Sequence, residues 1–125
     1  MDTDIADMVR SSLDSVWSLE LLLLLHSDRD RTWSSPDLVR ELRSSALVVK
    51  QSLATLQAAG LIVSEDGGRI RYAPSSPELD VLVARLEAEY RARPAAIRRM
   101  IVMPAEGKLK IFSDAFMFRK PPADE

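Results

Sequence analysis

Side chains able to perform catalysis are few in this sequence. The chain has 125 residues, no cysteine and one histidine, His26. Without cysteine there are no thiol nucleophiles, disulfides or cysteine-ligated metal sites, and a lone histidine excludes paired-histidine metal sites. Three near pairs of carboxylates lack a histidine or a nucleophile arranged to work with them: Asp28 and Asp30, Glu65 and Asp66, and Glu87 and Glu89. We therefore expect no enzymatic activity, no metal site and no cofactor.

Local positive charge offers a different chemistry, the recognition of phosphates. The formal net charge is −2, but residues 29–71 and 91–120 are each net basic and residues 1–28 are strongly acidic. Nucleic-acid affinity depends on the number of phosphates neutralised locally, so a negative net charge does not exclude it. Neither basic zone is dense, and on charge alone a solvated surface that balances acidic neighbours is the favoured explanation for both.

The first elements that would position these charges are helical. Apolar residues at helical spacing predict a helix over 13–25 that is apolar nearly all round and forms the centre of a small core, Trp17 included. Residues 3–12 form either a short preceding helix or an extension of it. His26 is expected near the helix end, where the macrodipole stabilises it. The run from Leu21 to Leu25 is too short to cross a membrane.

Two further helices are predicted on either side of a short turn at Ser44 and Ser45. The first runs to about Arg43 and begins at a cap provided by Ser34 or Ser35, with Trp33 stapled onto Leu38. The second covers about 46–59 and ends at Gly60, because glycine is favoured after a helix C-terminus. Its predicted buried stripe is Val49, Leu53 and Leu56, spaced i, i+4, i+7.

A hairpin and further helices complete the prediction. A two-residue turn at Gly67 and Gly68 joins two strands within about 61–73, with Ile70 and Tyr72 on the packed face of the return strand. Residues 74–120 are predicted as a C-terminal helical extension: an apolar stripe from Leu79 to Tyr90, a short helix over 95–103 and an amphipathic segment over 109–117. Residues 121–125 are expected to be a flexible tail.

The order helix, turn, helix, hairpin resembles the winged helix-turn-helix transcription regulators of the MarR and ArsR type. The resemblance covers about residues 13–73 and depends on SSPDLVREL, the turn at 43–45, ALVVKQSLATLQAAGLI and VSEDGGRIRYA. It implies a mainly α fold with a small β-hairpin, in which helix 46–59 is the recognition helix and 61–73 is the wing. It also implies a role in binding double-stranded DNA.

Burial of the apolar stripe predicts an outward face on helix 46–59 that suits a major groove. Gln51 would contact adenine edges, Lys50 a phosphate, and Ser52 and Thr55 bases or phosphates. The resemblance places the wing arginines at the minor groove or the backbone, and the arginines before the turn would contact phosphates. The candidate DNA-binding residues are Arg40, Arg43, Leu47, Val48, Lys50, Gln51, Ser52, Thr55, Arg69 and Arg71. Ordinary surface positions are the alternative for each.

Two functions follow as hypotheses. The first is a cytoplasmic, DNA-binding transcriptional regulator that forms a homodimer through its C-terminal extension and has no membrane segment. The second is a winged-helix module that binds another protein, since helix 46–59 carries a single basic residue, Lys50, and exposes Leu47 and Val48.

Overall fold

The computed structural model describes residues 3–102, which form six helices and one antiparallel hairpin. The predicted class, mainly α with a small β-hairpin in the order of a winged helix-turn-helix, is confirmed. The amphipathic segment 109–117 and the tail 121–125 lie outside the described residues. The elements are α1 (Thr3–Ser12), α2 (Val16–Ser27), α3 (Ser35–Leu42), α4 (Ala46–Ala58), β1 (Ile62–Glu65), β2 (Arg69–Tyr72), α5 (Pro77–Ala92) and α6 (Pro94–Val102).

Helix α2 forms the centre of the core, as its nearly continuous apolar surface predicts. Leu19, Leu21, Leu22 and Leu25 are fully buried. The prediction that Trp17 also belongs to the core is wrong, because 40% of this residue is exposed. Trp17 stands near the start of α2 beside the end of α3, where no described element covers its outer side.

Helix α3 begins at the capping box that the sequence predicts, with Ser34 as the cap. The Ser34 hydroxyl accepts a hydrogen bond from the Asp37 backbone N–H, and the Asp37 carboxylate accepts one from the Ser34 backbone N–H. The side chain and the backbone N–H of Ser34 both lower the pKa of Asp37, and the side chain contributes more. The alternative cap, Ser35, is instead the first residue of the helix.

Trp33 has a role that the sequence pattern did not indicate. Trp33 is buried, and its backbone exchanges two hydrogen bonds of 2.8 Å with Ile70 in β2. The chain before α3 therefore pairs with the hairpin as a single-residue bridge, which fixes β2 against the helix-turn-helix segment.

The turn between α3 and α4 and the exit from α4 use left-handed backbone. Arg43 has φ 54°, an uncommon value for a residue with a side chain, and Ser45 then caps α4 through the Val48 backbone N–H. Gly60 has φ 76°, and a Cβ there would lie 2.8 Å from the Ser75 Oγ. Glycine is therefore required at the end of α4 for both conformation and space.

The hairpin turn differs from the predicted two-residue turn. Because Glu65 pairs with Arg69, three residues form the turn, and the strand register is displaced by one residue from the prediction. Gly67 and Gly68 both have positive φ, which glycine adopts without a steric penalty, and Asp66 completes the turn. The expected packed face of β2 is confirmed, since Ile70 and Tyr72 are both buried.

Helices α5 and α6 pack back onto α1 and α2. Val83, Leu86 and Ile97 are fully buried and belong to the same core cluster as the leucines of α2. The predicted apolar stripe of α5 is thus largely used within the chain. Within residues 3–102, no helix combines the length and hydropathy needed to cross a membrane.

Candidate nucleic-acid interface

Helix α4 buries one side against α2 and α3 and leaves the other exposed. Val49 and Leu56 are buried, as predicted, whereas Leu53 is only half-buried. Leu47 is 63% exposed, and Lys50 and Gln51 are also exposed. The residues Ala46–Ala58 include no aspartate or glutamate. The exposed face of α4 is therefore a small, weakly basic and partly apolar surface.

Ser52 does not lie on that face, contrary to the prediction. Only 2% of it is exposed. Ser52 follows Val49 by three residues and precedes Leu56 by four, and residues so spaced share one side of a helix. The predicted stripe had Leu53 in this place, and the helix instead turns Ser52 inward. Ser52 is therefore excluded as a residue that contacts a base.

Val48 and Thr55, at the edges of the exposed face, are both half-buried. The Thr55 hydroxyl lies 2.9 Å from the Asp14 carboxylate and 3.1 Å from the Gln51 carbonyl, and donates to these oxygens. Thr55 is thus held by the chain itself, and Asp14 brings a negative charge to this end of α4. Among the predicted contact residues of α4, those that remain exposed are Leu47, Lys50 and Gln51, in its N-terminal half.

The two arginines before α4 are both exposed, but their surroundings differ. Arg40 forms an ion pair with Asp37, three residues earlier on α3. Arg43, in the left-handed turn, forms no ion pair with any residue in the range 3–102. Its guanidinium is therefore the more available of the two for a phosphate.

Both wing arginines bind their own chain. The Arg69 guanidinium donates to the hydroxyl and the backbone carbonyl of Thr32, at 3.0 and 2.9 Å. Arg71 donates to the Glu65 carboxylate at 3.0 Å. With Asp66 beside Glu65, the hairpin turn is acidic as well as basic. DNA contact by either arginine would require exchanging an intramolecular partner for a phosphate.

A polar cluster at the base of the hairpin was not predicted. Asp80, on α5, accepts a hydrogen bond of 2.7 Å from the Tyr72 hydroxyl and one of 2.9 Å from Arg29. These two donors lower the pKa of Asp80, and Arg29 contributes more. Burial and the hydrogen bond to Asp80 raise the pKa of Tyr72. The cluster thus joins the end of α2, the wing and α5.

His26 lies in the last turn of α2, as predicted, next to this cluster. Its ring packs edge-on against Tyr72, and its Nδ1 is 3.5 Å from the Glu87 carboxylate. No local pattern indicated the cluster, because residues far apart along the chain contribute to it.

In the described part of the chain, no three histidine, aspartate or glutamate side chains are grouped so that they could hold a metal ion. Comparison of the sequence with protein-family models and with curated proteins, and of the fold with solved structures, gives no match.

Proposed function

We propose that the protein is a transcriptional regulator that binds double-stranded DNA, with the N-terminal half of α4 in the major groove and the hairpin beside it. The observation that carries the proposal is the exposed face of α4, which has no carboxylate and presents Lys50 and Gln51. A helix in a groove lined by phosphates must avoid negative charge and offer hydrogen-bonding groups to base edges. The winged helix-turn-helix order supports the same proposal.

Each contact residue has a specific proposed role. The Gln51 amide pairs with an adenine edge, and Leu47 packs against a thymine methyl group. Lys50 and Arg43 bind phosphates and thereby orient α4 without reading sequence. Arg40, Arg69 and Arg71 join the phosphate contacts only when they leave Asp37, Thr32 and Glu65. Their contribution to affinity is therefore expected to be smaller than that of Arg43.

The proposal also includes a cytoplasmic homodimer. Its support is the apolar surface that remains outside the core on the last two helices, where Val81 is 57% and Val102 is 67% exposed. A two-fold dimer would place two copies of α4 about 34 Å apart, one turn of DNA.

Selection of genomic DNA fragments by the purified protein at near-physiological salt tests the proposal. We expect an enriched motif, with dyad symmetry because of the dimer. The Lys50→Glu variant should bind the motif about tenfold more weakly. Its plot of log affinity against log salt concentration should also be less steep by about one, because one phosphate contact is lost.

The Arg10→Glu variant is the matched control, since it makes the same change of charge at an exposed position on α1, outside α4, the hairpin and the last two helices. It should retain most of the affinity. Equal losses for the two variants would indicate attraction by overall charge and would contradict docking through α4. Failure to enrich any motif would contradict sequence-specific binding altogether.

A second candidate function is recognition of another protein through α4. Exposed Leu47 next to half-buried Val48 favours it, as does the intramolecular pairing of Arg69 and Arg71. Under this alternative, Leu47→Asp abolishes capture of a protein partner in a pull-down, Lys50→Glu has little effect, and no DNA motif is enriched. An enriched motif whose binding requires Lys50 would contradict it.

A further inference from the structure

A groove separates the start of α2 from the end of α3. Its volume is about 470 Å³, within the range of small-molecule sites. Trp17 is the large aromatic residue in its lining and is 40% exposed, although the rest of α2 is among the most apolar parts of the sequence. The lining residues are Val16, Trp17, Glu20, Glu41 and Leu42.

The charges at this groove are negative. Glu20 and Glu41 both line it, and neither forms an ion pair with a residue in the described range 3–102. Glu20 instead accepts a hydrogen bond of 2.6 Å from the Tyr90 hydroxyl, and Arg98 donates to that hydroxyl rather than to the carboxylate. The tyrosine thus holds the Glu20 carboxylate in place, and Arg98, one hydroxyl group away, offsets only part of its negative charge.

The backbone of α3 adds to the negative potential. The helix ends at Leu42, next to Glu41, so the groove lies at the C-terminal end of α3. The last carbonyl groups of a helix carry a partial negative charge, which favours a cation that lies within about one helical turn of that end. An aromatic ring face attracts cations as well, and tryptophan does so most strongly.

We infer that this groove binds a small organic cation with an apolar body. The cationic group would lie over the Trp17 ring and between the carboxylates of Glu20 and Glu41, and the apolar body would contact Val16 and Leu42. An anion would be repelled by both carboxylates, and a neutral molecule would gain only the apolar contact. The limited volume favours a small molecule over a folded partner. The inference does not depend on DNA binding.

This inference is tested by titrating the 125-residue protein with benzyltrimethylammonium and measuring the binding by calorimetry and by tryptophan fluorescence. Trp17 should report the binding, since Trp33 is only 3% exposed. We expect saturable binding that weakens as salt is raised, because salt screens exposed charges. Benzyl alcohol and phenylacetate, the neutral and anionic analogues, should not bind measurably.

Variants assign the binding to the groove. Glu41→Gln and Glu20→Gln should each weaken binding by roughly threefold. Glu41 is exposed, and a glutamine at position 20 keeps an acceptor for Tyr90. Trp17→Leu should weaken binding by roughly threefold to tenfold. Glu78→Gln removes an exposed carboxylate elsewhere, on α5, and should leave binding unchanged. Circular dichroism confirms that each variant is folded.

Three outcomes would overturn the inference. Equal binding of benzyl alcohol would show that charge is irrelevant. Unchanged affinity in Glu41→Gln and Trp17→Leu would place the cation elsewhere on the protein. Much tighter binding of a short arginine-containing peptide than of any small cation would assign the groove to a protein segment instead.

Discussion

Replacing Ile97 by alanine is expected to lower the free energy of unfolding by about 3 kcal/mol, the usual cost of removing a large aliphatic side chain from a core. Ile97 lies on α6, is fully buried and belongs to the same cluster as Leu86 of α5 and Leu22 of α2. The cavity would open where α6 packs on α1 and α2, and the surrounding helices can close it only in part.

Urea denaturation followed by circular dichroism measures this effect. Val102→Ala provides the matched control on the same helix, because Val102 is 67% exposed and its truncation should change stability by less than about 0.5 kcal/mol. Near-equal small effects of the two substitutions would mean that α6 is only loosely attached and adds little to the core. A large effect of Ile97→Ala would mean that any dimer interface must use the outer sides of α5 and α6.

The order and bounds of the helices could be predicted from local signals. The spacing of Ser34 and Asp37 indicated the start of α3, and Gly60 indicated the end of α4. These signals work because each depends on residues within a single helical turn. The structure places both elements within about two residues of the prediction.

Rotation of a helix about its own axis was harder to predict. On α4, the buried stripe was predicted as Val49, Leu53 and Leu56, although Ser52 also lies at helical spacing from Val49 and Leu56. Ser52 is buried and Leu53 is half-buried, because the packing of α4 against α2 determines how α4 is rotated about its axis. The same limit applies to Trp17, whose apolar character indicated burial although no element of the described range covers it.

Pairing of charged residues across the fold had no sequence signal. Arg69 binds Thr32, which is 37 residues away, and Arg29 binds Asp80, which is 51 residues away. The wing arginines were predicted as DNA contacts from their place in the hairpin. The partner of Arg69 depends on the hairpin pairing with Trp33, which brings Thr32 next to it. Among the proposed phosphate contacts, Arg69 has such a distant partner, whereas Arg40 and Arg71 pair with carboxylates only three and six residues away.

The second large effect is expected from Asp80→Ala, which should lower the free energy of unfolding by about 2 kcal/mol. The main cost is the Tyr72 hydroxyl, because a buried donor that loses its acceptor costs about 1–3 kcal/mol. The ion pair with Arg29 adds less, since both side chains are partly exposed and solvent screens their attraction. Thermal and urea denaturation measure the loss.

A double-mutant cycle with Tyr72→Phe isolates the hydrogen bond. Each single variant should be destabilised, and the double variant should lose less than the sum of the two, with a coupling of about 1 kcal/mol. Additive losses would show that the hydroxyl and the carboxylate stabilise the fold independently, which would contradict the 2.7 Å contact as the source of the effect.

The pH dependence of stability provides a further test of the same cluster. Because the pKa of Asp80 is lowered in the folded state, the stability that its charge contributes is present above its ordinary pKa and is lost as the pH falls through the folded-state value. The pKa of Tyr72 is raised, so its contribution is present below about pH 10 and is lost as the pH rises. Asp80→Ala should therefore flatten the acidic limb of the stability profile, and it should flatten the alkaline limb only in part, because burial also raises the pKa of Tyr72. A profile identical in shape to that of the unsubstituted protein would mean that Asp80 and Tyr72 do not titrate as a linked pair, and that the wing is held to α5 by apolar contacts alone.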